Sequence, residues 1–190
     1  GLELIDMIDP YSYRDKYTLP KMVFLGTNDE FWTVDAVKNY IDGIPGETYT
    51  SYVTNAGHGL GHDAFVSLEA FFHQTIHGTK YPRMDYKVKK QDGKAELNFN
   101  ADKELLEDVL VWEAYSDDKD FRPKKFEPSR LGISAKANFS VEVAYPEKGY
   151  KAFMVMLKYK HPSISGATYN ITTRMYTADS DELFDEAFVP

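Results

Sequence analysis

Two residues whose types suit proton transfer, Asp29 and His58, each follow a short strand-like stretch of the sequence. Asp29 closes the turn GTND at residues 26–29, and His58 lies between two glycines in TNAGHGL at residues 54–60. Because glycine adopts backbone angles that other residues avoid, this loop can turn sharply and present the imidazole at the end of a strand. In a nucleophile–base–acid relay, the acid orients and stabilises an imidazole that takes the proton from a serine. Asp29 and His58 therefore match two of the three parts of such a relay.

The nucleophile that would complete the relay is not recognisable in the sequence. None of the ten serines lies in a G-x-S-x-G-like elbow after a strand. In the chain order of folds that use this elbow the nucleophile precedes the acid, and only about 28 residues precede Asp29 here. We therefore predict that the chain lacks its nucleophile and is inactive alone. Spacing by itself leaves a second interpretation open, in which Asp29 caps the following turn and His58 is a hydrogen-bonded loop residue.

Histidine spacing raises a different chemistry, that of a metal site. His58 and His62 are four residues apart, and helical residues at this spacing share a face. The same spacing separates His73 from His77. The glycines on either side of Leu60 place the start of a helix after His58, and no glutamate follows that histidine as in an H-E-x-x-H site. We therefore predict no metal ion and no other cofactor, and we interpret His73 and His77 as solvated.

Composition limits the classes of protein to which the chain can belong. With 190 residues, of which 43% are hydrophobic and 15% aromatic, the chain can fold around a substantial core. Its net charge of −8 lacks the basic excess that nucleic-acid binding needs, so we predict no nucleic-acid partner. The absence of cysteine excludes disulfides and thiolate chemistry. No apolar run approaches the roughly 18 residues that a membrane span requires.

The elements that must position Asp29 and His58 alternate between strand and helix. Residues 21–25 form a continuous apolar run closed by turn residues, which is typical of a parallel-sheet strand buried on both faces. From Thr33, apolar residues at helical spacing predict one helix that ends near Pro45, and residues 48–53 form the next strand. After the histidine loop, a second helix is predicted up to Gly78, with one apolar face formed by Ala64, Phe65, Leu68, Phe71, Phe72 and Ile76.

This order of elements predicts a parallel sheet with right-handed crossovers, and ligands of such sheets collect at the carboxyl ends of the strands. Asp29 and His58 both fall at such ends. From about residue 84 the period changes to two, and Asp92-Gly93 predicts a hairpin turn. Further strands are predicted at 108–115, 138–145, 150–159 and 168–177. The fold class expected is therefore α/β followed by all-β, with a partial parallel sheet and then an antiparallel, Ig-like β-sandwich.

Four short segments occur in a fixed order along the chain, namely IDPYSYRD (8–15), LPK (19–21), GTNDEFW (26–32) and NAGHGL (55–60). Together they resemble the PhoPQ-activated pathogenicity-related protein family, with a looser likeness at WEA (112–114) and DFR (120–122). The family is similar to the α/β-hydrolases, so the resemblance implies that residues 1–83 are the C-terminal portion of an α/β-hydrolase-like domain. The strand pattern assigns residues 84–190 to the β-sandwich domain. It implies Asp29 as the relay acid, His58 as its base, and a nucleophilic serine in a segment N-terminal to this chain. It also implies a bacterial protein that is secreted or envelope-associated and linked to virulence.

Two functions from different classes follow from these observations. The first is a parent serine hydrolase of ester or amide bonds, acting on a small-molecule or peptide substrate. The second is a secreted, non-catalytic binding or signalling module on a hydrolase scaffold. Trp32, in the loop after Asp29, is a candidate substrate contact, although such an aromatic residue more often packs the loop onto the core.

The partial sheet predicts a partner. Two parallel strands with two helices cannot cover both faces of a sheet or protect its edges, and open parallel edges tend to find partners. We therefore expect the N-terminal remainder of the hydrolase domain, or another chain, at the open edge of the sheet.

Overall fold

Two α-helices and ten β-strands form the regular structure of residues 2–134 and 137–187, which are the residues that the computed structural model describes. The α-helices are Leu2–Ile8 (α1) and His62–Ile76 (α2), and short 3-10 helices occur at Pro10–Lys16, Ala36–Asn39 and Ile41–Gly43. The strands are Lys21–Gly26 (β1), Thr48–Val53 (β2), Tyr86–Gln91 (β3), Lys94–Asn100 (β4), Leu106–Ser116 (β5), Glu127–Arg130 (β6), Asn138–Ala144 (β7), Tyr150–Lys160 (β8), Thr168–Thr172 (β9) and Tyr176–Ala178 (β10).

These strands form two sheets. The larger is a mixed seven-stranded sheet with the order β1-β2-β9-β8-β5-β6, in which β10 also pairs with β8. The smaller is a three-stranded antiparallel sheet with the order β3-β4-β7. The described chain is therefore mostly β-structure with few helices.

The parallel pairing predicted for the first two strands is confirmed. β1 and β2 run parallel, with Lys21 opposite Thr48 at one end and Gly26 opposite Val53 at the other. Because both strands end at the same level, the loops that follow them leave the same edge of the sheet. The two loops that carry Asp29 and His58 are therefore neighbours.

The larger α/β-hydrolase-like sheet that was expected is not confirmed, because the parallel strands do not form a sheet of their own. β2 pairs on its other side with β9, which belongs to the second half of the chain. The Thr50 hydroxyl donates to the Thr172 carbonyl at 2.6 Å, and the Tyr52 backbone N–H donates to the Thr172 hydroxyl at 3.2 Å. One mixed sheet thus runs through both halves, and the division into domains at residue 83 stays a prediction. The edge of β2 is covered, whereas the outer edge of β1 carries no strand among the described residues.

The antiparallel strands expected after residue 84 are present, and the two sheets pack against each other. The β3–β4 hairpin turns at Asp92-Gly93, with Gln91 opposite Lys94. The strand predicted at 168–177 is divided into β9 and β10, and β6 was not predicted. A hydrophobic cluster joins both sheets, and its fully buried members include Ala95, Leu97, Val109, Phe153, Val155, Leu157, Tyr159 and Tyr169.

The single helix predicted between Thr33 and Pro45 is wrong. The segment instead forms two 3-10 turns, interrupted at Tyr40, where φ is −139°. The Tyr52 hydroxyl donates to the Val34 carbonyl at 2.8 Å, which an α-helix would use for its own amide bond. Val37 is nevertheless fully buried, so the apolar spacing reflects burial of these turns on the sheet.

Helix α2 is confirmed, but the face that was predicted to be buried is largely exposed. The helix instead turns a face of small and polar residues to the core: Ala64, Ser67, Ala70 and Gln74 are buried with Phe71. Small side chains allow a close approach to the sheet, and two bonds fix it. The Asn170 backbone N–H donates to the Ser67 hydroxyl, and the Gln74 amide donates to the Tyr169 hydroxyl. Neither described helix is long and apolar enough to span a membrane.

Candidate active site

The structure brings Asp29 and His58 into direct contact. The Oδ2 atom of Asp29 lies 2.9 Å from Nδ1 of the His58 ring. The His58 side chain is 56% exposed, whereas that of Asp29 is 12% exposed. Nε2 of His58 has no hydrogen-bond partner among the described residues. The imidazole is thus held at one nitrogen by a sheltered carboxylate and has its other nitrogen free to exchange a proton.

The second oxygen of Asp29 organises its own loop. Oδ1 accepts the backbone N–H of Phe31 at 2.8 Å and that of Trp32 at 3.3 Å. Burial opposes ionisation, but these two amides and the His58 ring together hold the pKa of Asp29 below its ordinary value. Asp29 therefore caps the following turn and contacts the imidazole at the same time, so the two interpretations drawn from the sequence do not exclude each other.

Glu30 adds a second carboxylate that holds the histidine loop through its backbone. Its Oε2 atom accepts the backbone N–H of His58 at 3.0 Å, which lowers the pKa of Glu30. A Cβ on Gly57 would lie 2.8 Å from this same Oε2 atom, so a side chain there would displace the Glu30 carboxylate. Consecutive carboxylates thus hold both the ring and the main chain of His58.

The positive φ angles of the histidine loop lie at residues other than the two glycines that flank His58. Positive φ angles occur at Asn55 (56°), Leu60 (55°) and Gly61 (74°), and not at Gly57. Asparagine is one of the few side chains that tolerate this region, because its short polar group bonds locally. The flanking glycines take part in a turn, closed by the Leu60 N–H donating to the Gly57 carbonyl at 3.1 Å, but they do not use the positive φ angles that were expected of them.

Two aromatic side chains project beside the relay pair. Phe31 is 69% exposed and makes an edge contact with the His58 ring, with 5.0 Å between ring centroids. Trp32 is 65% exposed. A cleft of about 260 Å³ lies between residues 27–34 and the loop 118–122, and Asp29 and Trp32 contribute to its lining. The expectation that Trp32 packs onto the core does not fit its exposure.

One wall of this cleft comes from the second half of the chain, and two asparagines fix it. The Asn28 amide nitrogen lies within 3.0 Å of the carbonyl oxygens of Phe121, Arg122 and Lys124. The Asn55 side chain donates to the Phe126 carbonyl at 3.0 Å and accepts the Phe126 N–H at 2.7 Å. Since Asn28 precedes Asp29 and Asn55 lies in the histidine loop, both loops of the site are bound to residues 121–126.

A rigid ion pair lies on that wall. Two nitrogens of the Arg122 guanidinium donate to the two carboxylate oxygens of Asp120, at 2.8 and 2.6 Å. This fork lowers the pKa of Asp120 to about 2. Asp118 accepts the Ser116 hydroxyl at 2.9 Å and the Asp120 backbone N–H at 3.2 Å, which extends the bonded loop.

A second serine, histidine and carboxylate cluster occurs at His161, but its bonding is that of a turn. Nδ1 of His161 accepts the backbone N–H groups of Ser163 and Ile164 at 3.3 and 3.1 Å. The Ser163 hydroxyl donates to Glu69 at 3.0 Å, and Nε2 of His161 lies 2.8 Å from the same carboxylate. Nδ1 also lies 3.4 Å from the Ser163 hydroxyl oxygen, but that hydroxyl donates to Glu69, Nδ1 accepts two amides and the His161 side chain is fully buried. These contacts are those of a turn and not of an activated nucleophile.

The histidine pairs considered for metal binding do not form a ligand set. His58 lies outside α2, which begins at His62, so these two residues do not share a helix face. His73 and His77 lie close together, with 4.4 Å between ring centroids. Within residues 2–134 and 137–187 there is no group of three or more histidine, aspartate or glutamate side chains that could hold a metal ion.

The site contains three positioning residues that were not predicted, namely Asn28, Glu30 and Asn55. Their roles depend on contacts across 28 to 96 positions of the chain, which local patterns do not reveal. A signal was nevertheless present, because the segments 26–32 and 55–60 that carry the family resemblance contain all three.

Comparisons with known proteins agree with that resemblance. The family model for the PhoPQ-activated pathogenicity-related protein matches residues 1–122, a range that ends within the loop lining the cleft. Autocrine proliferation repressor protein A of Dictyostelium discoideum is 27% identical over an alignment of 190 positions. The alignment covers 83% of this chain and 37% of that protein. The chain thus spans little more than a third of that relative's length. No solved structure matches the chain.

Proposed function

Because the chain belongs to the PhoPQ-activated pathogenicity-related protein family, we propose that it carries the acid and base of a serine hydrolase that cleaves ester or amide bonds. Asp29 is the acid, His58 is the base, and the nucleophile comes from a segment of the α/β-hydrolase-like parent outside these 190 residues. The observation that carries the proposal is the 2.9 Å contact between Asp29 Oδ2 and His58 Nδ1, with Nε2 unbonded among the described residues.

The geometry supports a two-step acyl transfer. Nε2 of His58 takes the hydroxyl proton as the serine oxygen attacks the substrate carbonyl carbon. The proton then passes to the leaving alcohol or amine, which departs and leaves an acyl-enzyme. Water repeats the sequence: His58 takes its proton, the acyl group is released as an acid, and the serine is restored. Throughout, Asp29 stabilises the imidazolium through Nδ1 while the amides of Phe31 and Trp32 keep its carboxylate oriented.

Trp32 and the loop 118–122 form the substrate contact in this proposal. An exposed indole offers a large apolar face to an acyl or leaving group, and the adjacent 260 Å³ cleft has room for such a group. The substrate is a small molecule or a peptide with at least one apolar group beside the scissile bond. Family membership is consistent with a periplasmic or envelope protein, and we place the parent outside the cytoplasm, in a virulence-associated bacterial setting.

A second function, that of a non-catalytic signalling module on a hydrolase scaffold, has one observation in its favour. The relative from Dictyostelium is named as an autocrine proliferation repressor, which describes a signalling role for that protein. A signalling module does not need an imidazole held by a carboxylate, whereas a hydrolase does. The relay geometry therefore makes hydrolysis the better-supported function.

A fluorophosphonate probe, which reacts with activated serines, tests the proposal in the full-length protein. We expect the wild type to be labelled, His58→Ala to lose labelling, and His62→Ala to keep it. His62 is the matched control because it is an exposed histidine four residues on, outside the relay. A wild-type protein that is folded but not labelled, or equal labelling of His58→Ala, would refute the hydrolase and leave the signalling module.

A further inference from the structure

An apolar stripe lies on the outer face of α2. Its members are Phe65, Leu68, Phe72 and Ile76, which are 68%, 44%, 62% and 62% exposed; they are called the α2 stripe below. Their spacing of three or four residues places them on one side of the helix. Contiguous exposed apolar surface of this kind marks a contact with another molecule or segment, because it is costly to leave in water.

The outer edge of β1 lies beside this helix and is also uncovered among the described residues. β1 is the first strand in the order of the large sheet, with β2 on its only occupied side. Residues 22–25, Met-Val-Phe-Leu, are partly exposed, and α2 packs across β9, β2 and β1. The β1 edge therefore ends an incomplete layer of strands, and the α2 stripe lies in the layer of helix that packs on those strands.

The sequence of β1 differs from that of a strand that ends a sheet in solution. Natural edge strands are usually protected by charged residues, proline or bulges, which block pairing with other chains. β1 has Pro20 before it and a charge at its first residue, Lys21, but residues 22–28 carry no charge and no proline. A continuous apolar run is instead typical of a strand that is inside a parallel sheet, with helices over both faces. The sequence of β1 is thus that of a strand whose edge another strand covers in the folded protein.

We propose that a strand–helix segment of the same polypeptide, outside these 190 residues, covers this surface. Its strand pairs with the outer edge of β1, and the apolar face of its helix packs on the α2 stripe. The relative from Dictyostelium has room for such a segment, since this chain aligns with only 37% of it. The inference goes beyond the proposed function, because the surface would be covered whether or not the protein hydrolyses anything.

Thiol labelling can test this contact, because the chain contains no cysteine. Phe72→Cys places a thiol in the α2 stripe, and Arg130→Cys places one on β6, at the opposite edge of the large sheet, where the side chain is 71% exposed. Both variants are made in the isolated 190-residue chain and in the full-length protein, and the labelled peptides are identified by mass spectrometry. In the isolated chain we expect both thiols to react with maleimide at similar rates.

In the full-length protein we expect the thiol at position 72 to react at least about tenfold more slowly, because a packed thiol reacts only when its interface opens. The thiol at position 130 should be unchanged. Leu68→Cys repeats the test at a second site on the α2 stripe if Phe72→Cys fails to fold.

Three results would overturn the proposal. The first is an equal labelling rate at position 72 in the two proteins. The second is a gene that encodes no additional strand and helix. The third is concentration-dependent protection of the isolated chain together with a dimer mass, which would identify a second copy as the occupant. Protection in a full-length protein that does not react with the fluorophosphonate would support this inference while refuting the proposed hydrolase.

Discussion

Asp29 divides its two carboxylate oxygens between the loop that follows it and the imidazole of His58. Oδ1 is held by two backbone amides, so Oδ2 cannot swing away from Nδ1 without breaking the turn. Glu30 restrains the same histidine through its backbone N–H. Asp29 and His58 are thus fixed from both sides, which is the preorganisation that the proposed role of His58 as a positioned base requires.

Replacing Asp29 with asparagine should change the tautomer of the His58 ring while leaving the chain folded. The carboxylate favours the neutral tautomer with its proton on Nδ1, whereas an amide can also donate to Nδ1 and favour the wrong tautomer. We expect ¹⁵N NMR of the isolated Asp29→Asn chain to show His58 shifted away from the Nδ1–H form. Probe labelling of the full-length variant should fall by about 10⁴-fold, the typical loss when a relay acid is replaced by its amide.

The resonances of His62 serve as the internal control in that spectrum, since its ring lies outside the site. A His58 tautomer that is the same in the wild type and in Asp29→Asn would contradict the assigned role of Asp29.

The Asp120–Arg122 fork predicts a measurable pH dependence. The pKa of Asp120 is about 2 in the folded chain, below its ordinary 3.8. Because the folded-state pKa is depressed, the contribution of this pair to stability is complete above about pH 3.8 and is lost as the pH falls through 2. We expect Arg122→Gln to raise the pKa of Asp120 toward 3.8, measured by NMR titration of its side-chain carboxyl. A pKa that stays near 2 in Arg122→Gln would show that backbone bonds alone hold the carboxylate ionised.

At the scale of elements, the site depends on how closely the end of β1 approaches the histidine loop. A Cβ on Gly26 would lie 2.5 Å from the carbonyl oxygens of both Ala56 and Gly57. These are backbone atoms, which cannot rotate away as a flexible side chain can. The loop that carries His58 can therefore take its position only because residue 26 has no side chain.

Gly26→Ala should displace the loop and separate the relay pair. A shift of about 1 Å is enough to cost roughly 100-fold in rate when a catalytic group is misplaced. We expect labelling of the full-length variant to fall by about that factor, and the His58 ring resonances of the isolated chain to move. Gly59→Ala is the matched control, because no atom lies within 4 Å of a Cβ built at that position. Equal effects of the two substitutions would disprove the packing argument.

The sequence predicted the elements that bear Asp29 and His58 well, because each depends on local signals. An apolar run closed by turn residues indicated β1, and helical spacing indicated α2. Spacing could not show which side of α2 is buried, since Ala64, Ser67 and Gln74 face the core and the α2 stripe does not. The apolar side chains of the α2 stripe are suited to contact with another surface, which in our proposal lies outside these 190 residues.

The failed helix prediction at 33–45 has a different cause. The apolar spacing there is real, as Val37 is fully buried, but long-range bonds override the local preference. The Val34 carbonyl is bound by the Tyr52 hydroxyl, and Asp35 accepts the Thr177 hydroxyl at 2.8 Å. Tyr52 and Thr177 are both too far from this segment in the sequence to be predicted as partners from helical spacing. For the same reason, the sequence could supply the acid and base but not the wall at 121–126, which is bound through Asn28 and Asn55.

At the scale of the whole molecule, the pairing of β2 with β9 joins the part that carries the relay to the part that forms most of the core. The contact is buried: Thr50 and Thr172 are 5% and 1% exposed. The asparagine contacts to residues 121–126 form a second connection between the halves. We therefore expect the two predicted domains to unfold as one cooperative unit.

Thr172→Val tests this coupling. The substitution removes the hydroxyl that accepts the Tyr52 backbone N–H, and a buried amide left without a partner costs roughly 1–3 kcal/mol. At about 2–4 °C per kcal/mol for a chain of this size, the Tm should fall by several degrees.

Fluorescence of Trp112 in a Trp32→Phe background reports on β5, and hydrogen exchange of β2 amides reports on the relay side. If the chain unfolds as one cooperative unit, the free energy of unfolding that the two probes report should fall by the same amount. β5 and β2 then unfold together, although only β2 has lost a hydrogen bond. If the β2 amides are destabilised while Trp112 keeps the wild-type midpoint, the halves unfold independently and the predicted boundary at residue 83 is a true domain boundary.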